Sequence, residues 1–245
     1  MAERLAGGNM NEAERVGDTV LRTAGPWTPT IHRLLAHVRA AGVDWVPEPI
    51  GTTPDGREML SFLEGTVPLY PLPEWVWADS VLVESARMLR QFHEATAGFP
   101  FEAAIWQLPA RGPVEVVCHN DFAPHNLVFC DGRVVGAIDF DTCAPGPRLW
   151  DLAYLATRAV PLSRFNDAGA RDGSDAIRRL RLLLAAYGSA ESTGDLVDVA
   201  IERLDDLAAY SERKAVELAR QPLAEHAAHY RLEAAHLRAT MAGGP

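Results

Sequence analysis

The chain has 245 residues, with 23 basic against 33 acidic side chains and a formal net charge of −10. Hydrophobic residues make up 48% and charged residues 23%, an ordinary globular mix that excludes a disordered chain, a collagen-like fibre and a disulfide scaffold. The acidic balance argues against a general binder of nucleic acid or of anionic membrane. No stretch approaches the ~18 uninterrupted apolar residues of a membrane span. No apolar run follows Met1-Ala2-Glu3-Arg4, so no secretory signal and a cytoplasmic location are expected. The three cysteines, Cys118, Cys130 and Cys143, are then expected as reduced, partly buried thiols.

In chain order, Gly7-Gly8-Asn9 reads as a turn. Residues 13–16 and 19–22 form a hairpin about Gly17-Asp18, two residues that tolerate turn geometry. Thr28-Pro29 opens a helix, with Thr28 as N-cap and Pro29 at the first helical position. Ile31, Leu34, Leu35 and Val38 share one face of it, and Gly42 ends it. Pro47 and Pro49 keep the next stretch extended. Asp55-Gly56 then turns residues 49–52 back into 57–63. Residues 66–77, with Pro68, Pro71, Pro73, Tyr70, Trp75 and Trp77, read as a non-helical crossing segment. The aromatics there either line a substrate cleft or pack a joint, and packing is the commoner use.

Residues 80–95 are helical in pattern, with Val83, Ala86, Leu89 and Phe92 in register. Short apolar runs at 114–118 and 133–138 flank a polar loop, and Asp131-Gly132 marks a turn between strands. Beyond Trp150 the pattern is helical, with helices expected at 151–158, 175–187, 196–219 and from about Pro222 to Ala242. Glu202, Asp205, Asp206 and Glu212 read as a solvated helix face, and His226 and His229 as surface histidines. The layout predicts an α+β chain: a small β-rich lobe at 1–65 and a larger helical lobe at 66–245.

The chemistry concentrates in Cys118-His119-Asn120-Asp121-Phe122-Ala123-Pro124-His125-Asn126-Leu127. It contains H-x-D-x-x-x-x-N at His119, Asp121 and Asn126, and Ile138-Asp139-Phe140-Asp141 follows. Phosphoryl transfer needs this set: a carboxylate to orient the acceptor hydroxyl and take its proton, and an amide oxygen with a second carboxylate to hold magnesium. Mg²⁺ prefers such oxygen ligands, which Asn126 and Asp139 supply. Asp141 reads either as a second metal or substrate contact or as a solvated carboxylate. Cys118, His119, His125 and Cys130 match no compact zinc spacing. No G-x-x-x-x-G-K-[ST] pattern is present, which disfavours a P-loop enzyme.

These motifs resemble the aminoglycoside phosphotransferase family, the small-molecule relatives of protein kinases. The resemblance rests on His119, Asp121, Asn126 and Asp139. It extends to Cys143-Ala144-Pro145-Gly146-Pro147-Arg148-Leu149-Trp150-Asp151-Leu152-Ala153 after the metal site, and to Arg57-Glu58-Met59-Leu60-Ser61-Phe62-Leu63-Glu64-Gly65 as the hinge. It covers about residues 5 to 160.

The resemblance implies a two-lobed protein-kinase-like fold. It implies transfer of the γ-phosphoryl group of ATP or GTP to a hydroxyl of a small-molecule acceptor. Asp121 would be the base, Asn126 and Asp139 would hold Mg, and His119 would support the loop. Ser61, Phe62 and Leu63 would face the nucleotide base, and Gly7, Gly8 and Asn9 would turn over the phosphates. Asp151 would anchor the loop structurally. Two departures stand out. Arg22 occupies the position of the usual strand lysine, and residues 30–41 contain no acidic residue. The ion pair that orients such a lysine is therefore expected to be missing, with His32 as the available polar partner. Asn120 stands where the family often has glycine. The alternatives are a choline, amino-alcohol, sugar or macrolide kinase of the same fold, and a non-catalytic nucleotide-binding scaffold. No nucleic acid or membrane partner is expected, and oligomeric state is unreadable.

Overall fold

Gly17 adopts φ +63° and turns β2 (Ala13–Val16) into β3 (Thr19–Thr23) as expected from the sequence. In the computed structural model, which describes residues 2–5, 13–162 and 175–242, this hairpin is the centre of a five-stranded antiparallel sheet. β1 (Ala2–Arg4) pairs with β2 on one side, and β5 (Arg57–Ser61) and β4 (Pro49–Thr52) complete the order β1-β2-β3-β5-β4. The Gly7-Gly8-Asn9 turn lies outside the described residues. The Asp55-Gly56 turn is present, closed by Thr53 N–H to Arg57 C=O at 2.8 Å and Gly56 N–H to Thr53 C=O at 2.9 Å.

Helix α1 (Thr28–Ala40) buries Ile31, Leu34, Leu35 and Val38 completely. It starts at the expected cap, Thr28, so that Trp27 is the N-cap. Trp27 is already in the right-handed region and its carbonyl accepts from Ile31 N–H at 3.0 Å. Thr28 is therefore inside the helix, and its hydroxyl accepts from Gly25 N–H at 2.9 Å. The segment at 66–77 contains a single 3₁₀ turn, Glu74–Trp77, because Val76 and Trp77 are drawn into the interior. Helix α2 (Asp79–Thr96) buries Val81, Leu82, Ala86, Leu89 and Phe92, whereas Val83 is half-buried.

β6 (Val116–Cys118) pairs with β9 (Ala144–Gly146), and β7 (Leu127–Cys130) with β8 (Arg133–Ala137). β9 was not apparent in the sequence because Pro145 sits at its centre, a residue that a two-stranded edge ladder tolerates. Residues 1–148 form one compact unit and 149–245 a second.

The second unit holds α3 from residue 149 onward (Arg148–Ala159 in full), α4 (Ala176–Tyr187), α5 (Thr193–Glu217) and α6 (Gln221–Ala242). α5 begins before residue 196 because Ser192 and Asp195 form a reciprocal capping box. Its acidic face is only partly solvated: Glu212 is held by Arg231 of α6 at 3.0 and 2.7 Å, and Asp205 pairs with Arg238. Among the described residues, no helix is long and apolar enough to cross a membrane.

Candidate active site

The loop after β6 is tied to the segment after β8 from three directions. His119 is fully buried against Phe92, Phe122 and Phe140. Its Nδ1 accepts from Asp121 N–H at 3.3 Å, so Nε2 carries the proton and donates to Ile138 C=O at 3.1 Å. The imidazole thus joins the backbone at Asp121 to the residue preceding Asp139. Thr142 Oγ1 donates to His119 C=O at 2.9 Å, and Asn120 Nδ2 donates to Thr142 C=O at 2.9 Å. Asn120 and Asp139 both take positive φ, +66° and +64°, a conformation costly for most non-glycine residues but less so for Asn and Asp.

Asn126 closes the loop onto Asp121. Its Nδ2 donates to Asp121 C=O at 2.9 Å and to Oδ2 at 2.8 Å. Ile138 N–H reaches the Asn126 carbonyl at 2.9 Å. The other oxygen of Asp121, Oδ1, lies 3.5 Å from His125 Nε2. The hydroxyl of Tyr70 lies 3.1 Å from His125 Nδ1, which gives one of the crossing-segment aromatics a place beside the loop. Trp77 is buried, and Trp75 meets Phe129 edge-on at 4.8 Å.

Arg22 is not without a carboxylate partner, contrary to expectation. The acid comes from the neighbouring strand instead of the helix. Arg22 of β3 and Glu58 of β5 are direct cross-strand partners, and Arg22 Nε bonds Glu58 Oε2. His32 Nε2 of α1 meets the other oxygen, Oε1, at 2.9 Å. Glu58 is fully buried. Burial alone would push its carboxyl up, but the His32 hydrogen bond and the Arg22 charge hold it below the ordinary glutamate value.

The two terminal nitrogens of Arg22 reach the segment after β8: Nη2 to Asp141 Oδ1 at 2.6 Å, and Nη1 to Asp139 Oδ1 at 3.5 Å. Asp141 is therefore a buried, paired carboxylate and not a solvated one. Burial raises it to about 6 in spite of Arg22. Asp139 is raised by desolvation and by the nearby Asp121 charge. Glu58 was the residue missed in the sequence. An acid two positions from Leu60 on one strand shares its inward face, and a buried acid demands a partner.

The donor set fits a hard divalent cation. Asn126 spends its amide nitrogen on Asp121, which leaves Oδ1 as a donor, and Asp139 offers carboxylate oxygen with its side chain 48% accessible. Three carboxylates face one guanidinium, a charge surplus that a cation relieves. Both ring nitrogens of His119 are engaged in backbone bonds, whereas Cys118 lies with His93, their ligand atoms within 4.8 Å of one another. Cys118 and Cys143 are buried, whereas Cys130 at the end of β7 is exposed. In the hinge segment, Ser61 N–H donates to Glu48 C=O at 2.9 Å and Phe62 N–H to Asp18 C=O at 2.8 Å. Arg15 lies over the Phe62 ring at 3.7 Å.

The sequence profile of the phosphotransferase enzyme family matches residues 99–183. The trifolitoxin immunity protein of Rhizobium leguminosarum bv. trifolii is 35% identical over 206 residues, which span 79% of this chain and 77% of that one. The chain belongs to the phosphotransferase enzyme family. The stretch matched to that family holds His119, Asp121, Asn126, Asp139 and Asp141, but not Arg22, His32 or Glu58.

Solved structures of small-molecule kinases share the fold. A choline/ethanolamine kinase family protein from Mesorhizobium loti superposes with a TM-score of 0.66 at 18% identity, over 98% of this chain and 88% of that one. The GDP complex of aminoglycoside 2′-phosphotransferase-IIIa gives 0.65 at 16% identity, over 96% and 92%. The ethanolamine kinase of Plasmodium vivax gives 0.68 at 12% identity, over 96% and 81%. The fold of this phosphotransferase-family chain is thus the α+β protein-kinase-like one, and the family is one of small-molecule kinases.

Proposed function

We propose that the protein transfers the γ-phosphoryl group of ATP or GTP to a hydroxyl of a small molecule, with Asp121 as the base. The observation that carries this reading is the convergence of Asp121, Asn126 and Asp139 on one loop pair, with Asn126 clamping Asp121 Oδ2 at 2.8 Å. That clamp fixes the carboxylate plane, and Oδ1, 3.5 Å from His125 Nε2, would accept the acceptor's proton. The terminal nitrogens of Arg22, paired with Asp141 and Asp139 in the free protein, would bind phosphate oxygens bidentately.

Asn126 and Asp139 would hold magnesium, which when bound supplies charge neutralisation to the transferring phosphoryl group. The nucleotide base would meet residues 61–63 through their carbonyls and the Leu63 amide, since the Ser61 and Phe62 amides are already engaged. Most of the acceleration would come from positioning and electrostatics, with no covalent intermediate on the protein.

The acceptor is sought among the chemistries of the relatives: choline, ethanolamine, aminoglycosides such as kanamycin, and the toxin for which the immunity protein is named. The test is a radiolabelled transfer assay with Mg-ATP and Mg-GTP against this panel, run beside thermal unfolding. Wild type should show a magnesium-dependent shift of the midpoint, since ligand at a hundredfold its Kd adds about 2.7 kcal/mol. Asp139→Ala should remove that shift. Asp121→Asn should abolish transfer while retaining the midpoint shift. Nucleotide binding with no transfer to any acceptor would instead favour a non-catalytic scaffold.

A further inference from the structure

We infer that Glu58 and His32 are positioning residues for Arg22, and that the acid of this nucleotide anchor comes from the β-sheet, helix α1 supplying only the His32 donor that holds Glu58. The inference rests on the proposed function, in which Arg22 binds the phosphates. In kinase-type sites the strand lysine is oriented by a glutamate on the following helix, so the anchor forms only when that helix is in place. Here α1 carries no acidic residue in its first turn, and none occurs over residues 30–41.

The pairing is set by backbone register. Five successive partners, from Thr19↔Ser61 to Thr23↔Arg57, lock β3 against β5, and Arg22↔Glu58 is one of them. Directly opposed residues in an antiparallel pair project to the same face with close Cβ atoms. Glu58 is fully buried and both its oxygens are engaged, Oε2 by Arg22 Nε and Oε1 by His32 Nε2 at 2.9 Å. An ionised Oε1 is acceptor-only, so His32 presents Nε2–H to it. The helix contributes one ring N–H donor, from His32, and no carboxylate.

Arginine at this position has a physical rationale. Nε is consumed by Glu58, and Nη1 and Nη2 remain directed at Asp139 and Asp141. One end of the guanidinium is thus fastened to the sheet while the forked end faces the site. A lysine has one nitrogen and cannot divide these duties. The strand-borne acid and the arginine are therefore one device, and each makes sense of the other.

The experiment has two arms. In the free protein, ¹⁵N NMR should show an Arg22 Nε–H protected from solvent exchange and His32 as its Nε2–H tautomer. Glu58→Gln should weaken that protection, and an already rapidly exchanging Arg22 Nε–H in wild type would overturn preassembly. The second arm measures Mg-ATP and Mg-GTP affinity by calorimetry. Glu58→Gln and Arg22→Lys should each weaken binding by about tenfold or more, the scale of one charge-assisted hydrogen bond.

His32→Gln, which keeps a side-chain N–H donor, should bind nearly as wild type, and His32→Ala a few-fold more weakly. Glu58→Gln added to Arg22→Met should cause no further loss. A further loss in that background, or undiminished affinity in a folded Glu58→Gln, would refute the assignment. Glu58→Asp, which keeps the charge, replaces Glu58→Gln if the latter does not fold, and it should weaken binding because the shorter side chain cannot reach Nε and His32 together. A wild type that binds neither nucleotide would sink the proposed function, while the NMR arm would still decide whether the anchor is preassembled.

Discussion

Replacing Arg22 should destabilise the protein far more than neutralising Glu58, although the two form a single pair. Arg22 is 8% exposed and contacts Glu58, Asp141 and Asp139, whose side chains are 0%, 7% and 48% exposed. Arg22→Met removes the cation shared by all three and leaves Glu58 buried with His32. Breaking a buried pair from one side costs about 3–5 kcal/mol. Glu58→Gln keeps the volume and an oxygen facing Nε, and Arg22 retains Asp141 at 2.6 Å. Its cost should be near that of one charge-assisted bond, about 1.5 kcal/mol. The expected gap between the two variants is therefore roughly 2–3 kcal/mol.

Urea unfolding at pH 7 in nucleotide-free, metal-chelated buffer reads it directly from the midpoints and slopes. Arg22→Met combined with Glu58→Leu should recover part of the loss, because one of the unpaired carboxylates is gone. Equal costs for the two single variants, or a greater cost for Glu58→Gln, would refute the shared-cation account and mean that Arg22 is stabilised chiefly by Glu58.

Three further outcomes follow from the same geometry. Because Glu58 sits below its ordinary pKa through His32 and Arg22, its ionised form favours folding; that stability is complete above the unfolded-state value and is lost as pH falls through the folded one, so Glu58→Gln should flatten the acid limb of a stability–pH curve. His119→Ala deletes a fully buried ring with both nitrogens bonded and should cost about 3–5 kcal/mol in urea unfolding, on the scale of buried aromatic truncations, with transfer activity lost at temperatures where the variant is still folded. Ser192→Ala removes the hydroxyl that accepts from Asp195 N–H at 3.1 Å and should cost about 1 kcal/mol by thermal unfolding, with nucleotide affinity unchanged.

The geometry of the 119–126 loop was legible in the sequence because it is written in local spacing. Asn126 reaches Asp121 Oδ2 across one 3₁₀ turn, Pro124–Asn126, so the interval between the two residues is itself the geometry. Likewise the turns at Gly17-Asp18, Asp55-Gly56 and Asp131-Gly132 are local and were readable. The starts of α1 and α5 were off by one and three residues: Trp27 is the N-cap of α1, with Thr28 already inside it, and the Ser192–Asp195 box starts α5 before its first apolar residue.

Glu58 belongs to a different class of information. Its partner lies on β3, and what joins them is strand register, which no interval in the chain encodes. Register is nevertheless constrained by burial, since slipping β5 by one residue would bring Glu58 out and turn Leu60, 7% exposed, away from the interior. The same alternation that buries Leu60 buries Glu58, and a buried carboxylate is stable only opposite a cation. Arg22, on the strand that ends the hairpin, is the basic residue that this register supplies. An acid-free helix and an arginine in place of lysine read separately as two departures; the strand pairing makes them a single consistent arrangement, in which the acid stands on the sheet and the cation is a side chain that can be gripped at Nε while its far end stays forked.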